Sequence, residues 1–247
     1  MQAIDLNADM GEYADKAQQE VEAALMPLVT SCSIACGGHA GTAETMRLTA
    51  RLAKTHNVKA GAHPSYPDRE GFGRRALSIS LEELRLSLSL QVEALKGVLA
   101  TENMMLSHVK PHGALYNEAA KNIDLARTVA SVSTGAVLVG PAGSALESAA
   151  SETGLRFSPE GFVDRLYLAS GALTPRSEPD AIIADIEARA AQALAIAKGE
   201  KIKASDGAPV VRADTLCIHS DSPGAVDTAK AVRKTLEHAG VAIRPFA

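Results

Sequence analysis

Short apolar stretches that read as strands alternate with longer amphipathic ones that read as helices, and ionisable residues gather where the strands end. This rhythm is the strongest constraint on the fold, because alternating β and α units assemble into a parallel sheet covered by helices. Side chains alternate along a strand. Ile4 to Asp9 therefore sets Ile4, Leu6 and Ala8 on one face and Asp5, Asn7 and Asp9 on the other. Further strands are predicted at Ser31–Cys36, Val58–His63, Leu106–Lys110, Ala136–Val139, Leu155–Ser158, Thr215–His219 and Val241–Arg244. Helices are predicted at Ala17–Leu28, Thr42–Thr55, from Ser80 onward, and at Asn122–Ser133, Gly143–Thr153, Ser177–Lys198 and Ala225–His238. Ser80 and Glu83 form a capping box. Ser177 is read as the cap of its helix, with Pro179 in the first turn where no N–H is needed. Between Lys201 and Val211 the pattern is a hairpin with an Asp206-Gly207 turn.

About eight such units in 247 residues, with no linker, repeat or low-complexity tract, match a single (β/α) barrel domain spanning 1–247. A doubly wound parallel sheet is the alternative, since alternation alone does not separate the two. The first β–α turn, Met10-Gly11-Glu12-Tyr13, is no dinucleotide fingerprint, and no phosphate-binding loop follows any strand, so the chain has no visible basis for binding ATP by itself. A net charge of −4 and the absence of any basic run argue against nucleic acid or an anionic membrane as partner. The first residues lack the basic and apolar regions of a signal peptide, which places the expectation in the cytoplasm. Cys32 and Cys36 lie on one strand about 13 Å apart, too far for a disulfide, so the cysteines read as packed thiols.

Asp9 and Glu12 follow the first strand, His39 the second, His63 the third, and Lys110 and His112 the fourth. Glu160 and Asp164 follow a later one, and His219 and Asp221 the penultimate. Strand carboxyl ends converge on the ligand site in either architecture, and a purely structural protein has little reason to gather imidazoles and carboxylates there. His108, Lys110 and His112 share one parity, at what reads as a partly solvated strand end. The loop 64–79 is longer than most connections, and its Gly71-Phe72-Gly73-Arg74-Arg75 reads as a hinged flap bringing two arginines to an anion. Asp164-Arg165 reads as an ion pair anchoring a loop.

Six segments carry a resemblance: Asp5-Leu6-Asn7-Ala8-Asp9-Met10-Gly11-Glu12, Cys36-Gly37-Gly38-His39-Ala40-Gly41, Gly61-Ala62-His63-Pro64-Ser65-Tyr66-Pro67-Asp68 with the arginine loop after it, Lys110-Pro111-His112-Gly113-Ala114-Leu115-Tyr116-Asn117, Glu160-Gly161-Phe162-Val163-Asp164-Arg165, and Cys217-Ile218-His219-Ser220-Asp221. In this order, nearly end to end, they resemble the LamB/YcsF family. The resemblance implies a distorted (β/α) barrel of the glycoside hydrolase/deacetylase type. It also implies a hydrolase role in ATP-dependent 5-oxoprolinase, cleaving 5-oxo-L-proline to glutamate, with ATP as co-substrate handled by partner subunits B and C.

Within that reading, Asp9, His63, Lys110, His112 and Glu160 are the candidate catalytic residues. Glu12, His39, Arg74, Arg75, Asp164, Arg165, His219 and Asp221 are candidates for substrate binding. Asn7-Ala8-Asp9 is also similar to the start of YdjC-like deacetylases, so a divalent metal on Asp9, His63 and His112 is a rival expectation. A non-catalytic ligand-sensing role within the complex is a second. The sequence departs from the family's usual pattern at Ala8, Gly38, Thr42 and Ser220, where the family has Cys, a bulky apolar residue, Asp and Gly.

Overall fold

The computed structural model describes residues 2–176 and 178–246. Its strands are β1 (Ala3–Met10), β2 (Ser31–Ala35), β3 (Lys59–His63), β4 (His108–Val109), β5 (Val137–Gly140), β6 (Phe157–Phe162), β7 (Thr215–Cys217) and β8 (Ala242–Ile243). Its helices are α1 (Lys16–Leu25), α2 (Ala43–Thr55), α3 (Leu81–Thr101), α4 (Gly113–Ala119), α5 (Ile123–Ser131), α6 (Ala145–Thr153), α7 (Ile186–Lys198) and α8 (Ala225–His238). Strands β2 to β7 pair in chain order, all parallel, and β1 pairs with both β2 and β7. That double pairing closes a seven-stranded barrel and excludes the open doubly wound sheet. The eighth strand does not complete the ring: β8 pairs only with Ala3 and Ile4 at the start of β1, while β2 takes Asn7 to Met10.

The predicted parity of β1 holds. Leu6, Ala8 and Met10 are fully buried toward the helices. Asp5, Asn7 and Asp9 turn inward: Asp5 bonds to the flanking strands β2 and β7, while Asn7 and Asp9 reach Glu160 and Lys110 from farther round the barrel. The interior is therefore polar, where barrels of this kind are more often filled with branched apolar side chains. Asp5 accepts from Ser31 (2.7 Å), Thr30 (2.6 Å) and Thr215 (2.5 Å). Ser33 meets His108 at 3.1 Å. Gly61 on β3 makes room for that imidazole, because a Cβ there would collide with the His108 ring.

Strand β4 is shorter than the sequence pattern suggests. Ser107 sends its N–H to Ala60 of β3 but receives Val137 of β5 on its carbonyl. In a regular strand both groups of one residue point to the same neighbour, so the ladder breaks there. The helix predicted from 177 begins only at Ile186, where Asp185 accepts from the Ala188 N–H. The apolar pair Ile182 and Ile183 is used instead in an extended run against 164–167, with Leu166 N–H on Ala181 and Ile183 N–H on Asp164. Asp180, at φ 59°, turns the chain out of the helical path. The Ser177 cap lies outside the described residues.

The Ser80 capping box on α3 is present, and Thr42 forms one with Thr45 on α2, so a hydroxyl does the capping at the position where an acid is usual. Gly38 is explained as well: the space beside it holds the Gln91 amide, which binds Ser65 N–H (3.0 Å) and Ser65 carbonyl (2.9 Å). The 201–211 hairpin survives as a single antiparallel bridge, Lys201 to Val210, with Ala204 N–H on Gly207. Among the described residues no helix is long and apolar enough to cross a membrane.

Candidate active site

A cavity of about 420 Å³ opens at the carboxyl ends of the barrel strands. Its floor is an ionic layer. Lys110 Nζ lies 2.6 Å from Asp9 Oδ1 and 3.0 Å from Glu160 Oε1, and donates to Asn7 Oδ1 at 2.9 Å. Asn7 in turn donates to Glu160 Oε1 (3.0 Å) and Thr215 Oγ1 (2.7 Å). All four of Asn7, Asp9, Lys110 and Glu160 are buried. Burial alone would raise the Asp9 carboxyl, but His63 and Lys110 more than offset it and hold Asp9 well below the usual carboxylate range. Burial likewise works against the Lys110 charge, and Asp9, Cys217 and Glu160 overcome it, keeping the ammonium protonated. The second Glu160 oxygen, Oε2, is buried with no hydrogen bond of good geometry, and so is the Tyr116 hydroxyl, which lies close enough to Glu160 that burial first and then this carboxylate hold its proton on. The predicted partly solvated strand end is thus corrected: Lys110 is 2% exposed and His112 8%.

Beside this layer stands an imidazole cluster. The His39 and His112 rings stack with centroids 3.7 Å apart, and His63 meets both edge-on. His63 Nδ1 donates to the Lys110 carbonyl at 2.8 Å and His112 Nε2 to the Phe72 carbonyl at 3.0 Å. Glu12 Oε1 lies 2.7 Å from His39 Nε2. Burial pushes the His39 and His112 imidazoles down to about 2, so both are neutral. Phe72 packs edge-on to His39 and His112, and Arg74 lies over its ring at 5.0 Å. The loop 64–79 is therefore clamped onto the cluster. Gly73 allows that approach: it sits at φ +61°, and a Cβ would come within 2.9 Å of His39 Cβ.

The far wall is built on His219. Its Nδ1 donates to Asp164 at 2.9 Å, Ser222 donates to the same carboxylate at 2.7 Å, and Phe162 stacks on the ring. Burial would raise Asp164, yet His219 outweighs it and holds the carboxyl down at about 2. His219 is raised in return, against its own burial. Arg165 does not pair with Asp164 as the sequence suggested. It is a buried lining residue held by the Thr174 and Ala181 carbonyls. At the rim Asp221 takes Arg74 at 2.7 Å and Arg176 at 3.8 Å.

Of the candidate residues, Asp9, Glu12, His63, Arg74, Lys110, His112, Glu160, Arg165, His219 and Asp221 line one cavity. His39 and Asp164 stand directly behind it, each bonded to a lining residue. Arg75 does not join them; it is tied to Asp68 with a 60% exposed side chain. Sequence reasoning missed Asn7 and Tyr116 as site residues, although Asn7 shares the parity of Asp9. It also missed Arg176, which comes from an irregular segment with no period to read.

Carboxylates, imidazoles and a buried lysine at the mouth of a parallel barrel define a class: parallel (β/α) barrels with a polar cavity beyond the strand ends, where such barrels carry their ligand sites. Within that class, the chain belongs to the LamB/YcsF family, which it matches over residues 4–247. It is 48% identical to a Bordetella pertussis protein named as the A subunit of 5-oxoprolinase, with 98% of each chain covered. The crystal structure of a lactam utilization protein from Thermus thermophilus has a TM-score of 0.90 at 43% identity, covering 99% of this chain and 100% of that one. The Xyl-CE4 domain of a multidomain xylanase from the hindgut metagenome of Trinervitermes trinervoides shares the barrel alone, with a TM-score of 0.53 at 11% identity over 98% of this chain and 86% of that one.

Proposed function

We propose that this chain is the hydrolytic component of an ATP-dependent 5-oxoprolinase, opening 5-oxo-L-proline to L-glutamate together with partner subunits B and C. The observation that carries the reading is the pairing of a whole-length match to the A subunit of 5-oxoprolinase with a cavity lined by the buried carboxylates Asp9 and Glu160 and by arginines at its mouth. A five-membered lactam is a poor electrophile, and the product amine re-closes on its carboxylate readily. Phosphorylation of the lactam oxygen by ATP makes the ring carbon electrophilic, and the later release of phosphate supplies the driving force. The partners supply that step, since this chain has no phosphate loop.

In the barrel, water then adds to the activated ring carbon, the C–N bond breaks, and the nitrogen takes up a proton. The acyl phosphate so formed is cleaved by a second water to carboxylate and phosphate. Glu160 Oε2 is placed to act as general base, because Oε1 is occupied by Lys110 and Asn7 while Oε2 has no hydrogen bond of good geometry. His219, oriented through Nδ1 by Asp164, which favours its charged form, is the better proton donor to the leaving nitrogen than His112, which burial keeps neutral. Arg74, Arg165 and Arg176 suit the substrate carboxylate and the phosphate. Lys110, bracketed by two carboxylates, organises the floor.

The test is reconstitution with subunits B and C, following glutamate formed from 5-oxoproline. Omitting this chain, either partner or ATP should abolish it, and the isolated chain should neither bind nor hydrolyse ATP. Binding of 5-oxoproline without turnover in the complete mixture would make the chain a sensor and overturn the proposal.

A further inference from the structure

The imidazole cluster contains a conflict that protein atoms alone resolve poorly. His63 Nδ1 and His112 Nε2 each face a backbone carbonyl, which only accepts, so each of those nitrogens carries a hydrogen. Unless one ring takes an extra proton, the remaining nitrogens, His63 Nε2 and His112 Nδ1, are bare lone pairs, and they face each other at 3.0 Å. Two lone pairs at that distance repel, and burial makes the repulsion costlier. A third acceptor joins them: Glu12 Oε1 lies 3.4 Å from His112 Nδ1 and 3.7 Å from His63 Nε2. Either a proton or a metal cation must sit among these atoms.

The spacing says what kind. Four ligand atoms arranged tetrahedrally at about 2.1 Å from a zinc-like ion are about 3.4 Å from one another. Glu12, His39, His63 and His112 each offer a ligand atom within 4.8 Å of the others, with Glu12 Oε1 at 2.7 Å from His39 Nε2, 3.4 Å from His112 Nδ1 and 3.7 Å from His63 Nε2, and the last two 3.0 Å apart. His39 Nε2 now donates to Glu12 Oε1, but Nδ1 has no partner, so the ring's proton can move to Nδ1 and leave Nε2 as a ligand. The carbonyl contacts of His63 and His112 are the outer hydrogen bonds that fix ligating imidazoles. We propose that Glu12, His39, His63 and His112 form a binding site for a divalent transition-metal ion of the zinc type, facing the cavity that Glu12, His63 and His112 line. The ligand set differs from the Asp9, His63 and His112 trio expected from sequence: Glu12 Oε1 approaches both His39 and His112, whereas Asp9 gives Oδ1 to Lys110 and meets only His63 through Oδ2, at 3.5 Å. Three imidazoles and one carboxylate suit zinc, cobalt or iron over magnesium, which takes oxygen ligands. The site is independent of the substrate assigned above.

The test uses the isolated chain and metal alone. After chelator treatment and buffer exchange, Zn²⁺ is titrated and bound metal measured by elemental analysis, with Co²⁺ followed by its visible absorption and Mg²⁺ as control. One equivalent of Zn²⁺ is expected, a Co²⁺ spectrum of low coordination number, a rise in melting temperature on adding Zn²⁺, and no response to Mg²⁺. Loss of an outer-shell partner alone weakens metal binding by about 10–100-fold. The near-isosteric Glu12→Gln should therefore weaken Zn²⁺ by about 100-fold or more, as should His63→Ala, while Cys217→Ser should leave binding unchanged. Should His63→Ala fold poorly, Glu12→Gln alone decides. No stoichiometric Zn²⁺ or Co²⁺ binding by wild type would overturn the proposal and leave a proton shared between His63 and His112. Binding insensitive to Glu12→Gln would overturn it equally.

Discussion

Lys110 Nζ, carried just past β4, reaches across the barrel to within 2.6 Å of Asp9 Oδ1 on β1, with side chains 3% and 9% exposed. Glu160 stands on the other side of the ammonium at 3.0 Å. Replacing Lys110 by Met would leave two buried carboxylates with no cation between them. Breaking a buried pair by removing one partner costs about 3–5 kcal/mol. For a chain of this length that is a fall of about 10 °C in melting temperature. Lys110→Met should thus be both inactive and clearly less stable by calorimetry. A melting temperature unchanged within a degree would mean that the pair contributes nothing to folding.

The two neighbouring arginines should separate. Arg74 lines the cavity and its pair with Asp221 is half exposed, so Arg74→Ala should change stability by less than about 1 kcal/mol. A lost hydrogen bond to a charged ligand group costs about 1.5–3 kcal/mol, so KM should rise about tenfold or more. Arg75 holds Asp68 within the loop, away from the lining residues. Arg75→Ala should leave KM within about twofold. Steady-state kinetics on both variants decide the point, and equal KM effects would contradict the placement.

Asp5 gives stability a pH dependence of unusual sign. Burial in the barrel raises its carboxyl from 3.8 to about 6, against the bonds from Thr215, Thr30 and Ser31. The folded state therefore binds the proton more tightly than the unfolded state. Stability from this group is present below about pH 4 and lost as pH rises through 6, by about 3 kcal/mol in all. Asp164, lowered to about 2, acts oppositely: its contribution is present above about 4 and lost as pH falls toward 2. Asp5→Asn should flatten the decline between pH 4 and 6 in denaturant titrations. An unaltered slope would show that Asp5 is ionised at both ends of the window.

Gly61 should be irreplaceable for a local reason. A methyl there would occupy the space of the His108 imidazole, which is buried against Ser33. Overpacking of this kind costs about 1–3 kcal/mol. Gly61→Ala should be destabilised by that amount, and the double variant Gly61→Ala/His108→Ala should recover part of it. Strict additivity of the two changes would rule out the contact as the cause.

Much of this site was legible because strand parity is a rigid rule. Once Ile4, Leu6 and Ala8 were assigned outward, Asp5, Asn7 and Asp9 had to share the interior, and Lys110, His112 and Glu160 followed from other strand ends. What was not legible came from places where backbone geometry escapes a simple period. The ladder break at Ser107 shortened β4, and the extended run at 181–183 took apolar residues that read as helix. Arg176 reaches the cavity from that same irregular excursion, so no spacing announced it. The burial of Lys110 and His112 was hidden because it depends on the clamped 64–79 loop and on partners far apart in sequence. Closure with seven strands rather than eight depends on where β8 meets β1, which no local pattern encodes.

A barrel that carries the hydrolytic chemistry with Glu160 as base must lose turnover when that carboxylate is neutralised. The decisive quantity is the rate of glutamate formation by the chain reconstituted with subunits B and C when it carries Glu160→Gln, which keeps the size of the side chain. Loss of a general base lowers rate about 10²–10⁴-fold. A fall of that order is expected, with the variant still folded and still assembled with its partners. Near-normal glutamate production by Glu160→Gln, or by the partners with this chain left out, would contradict the assignment.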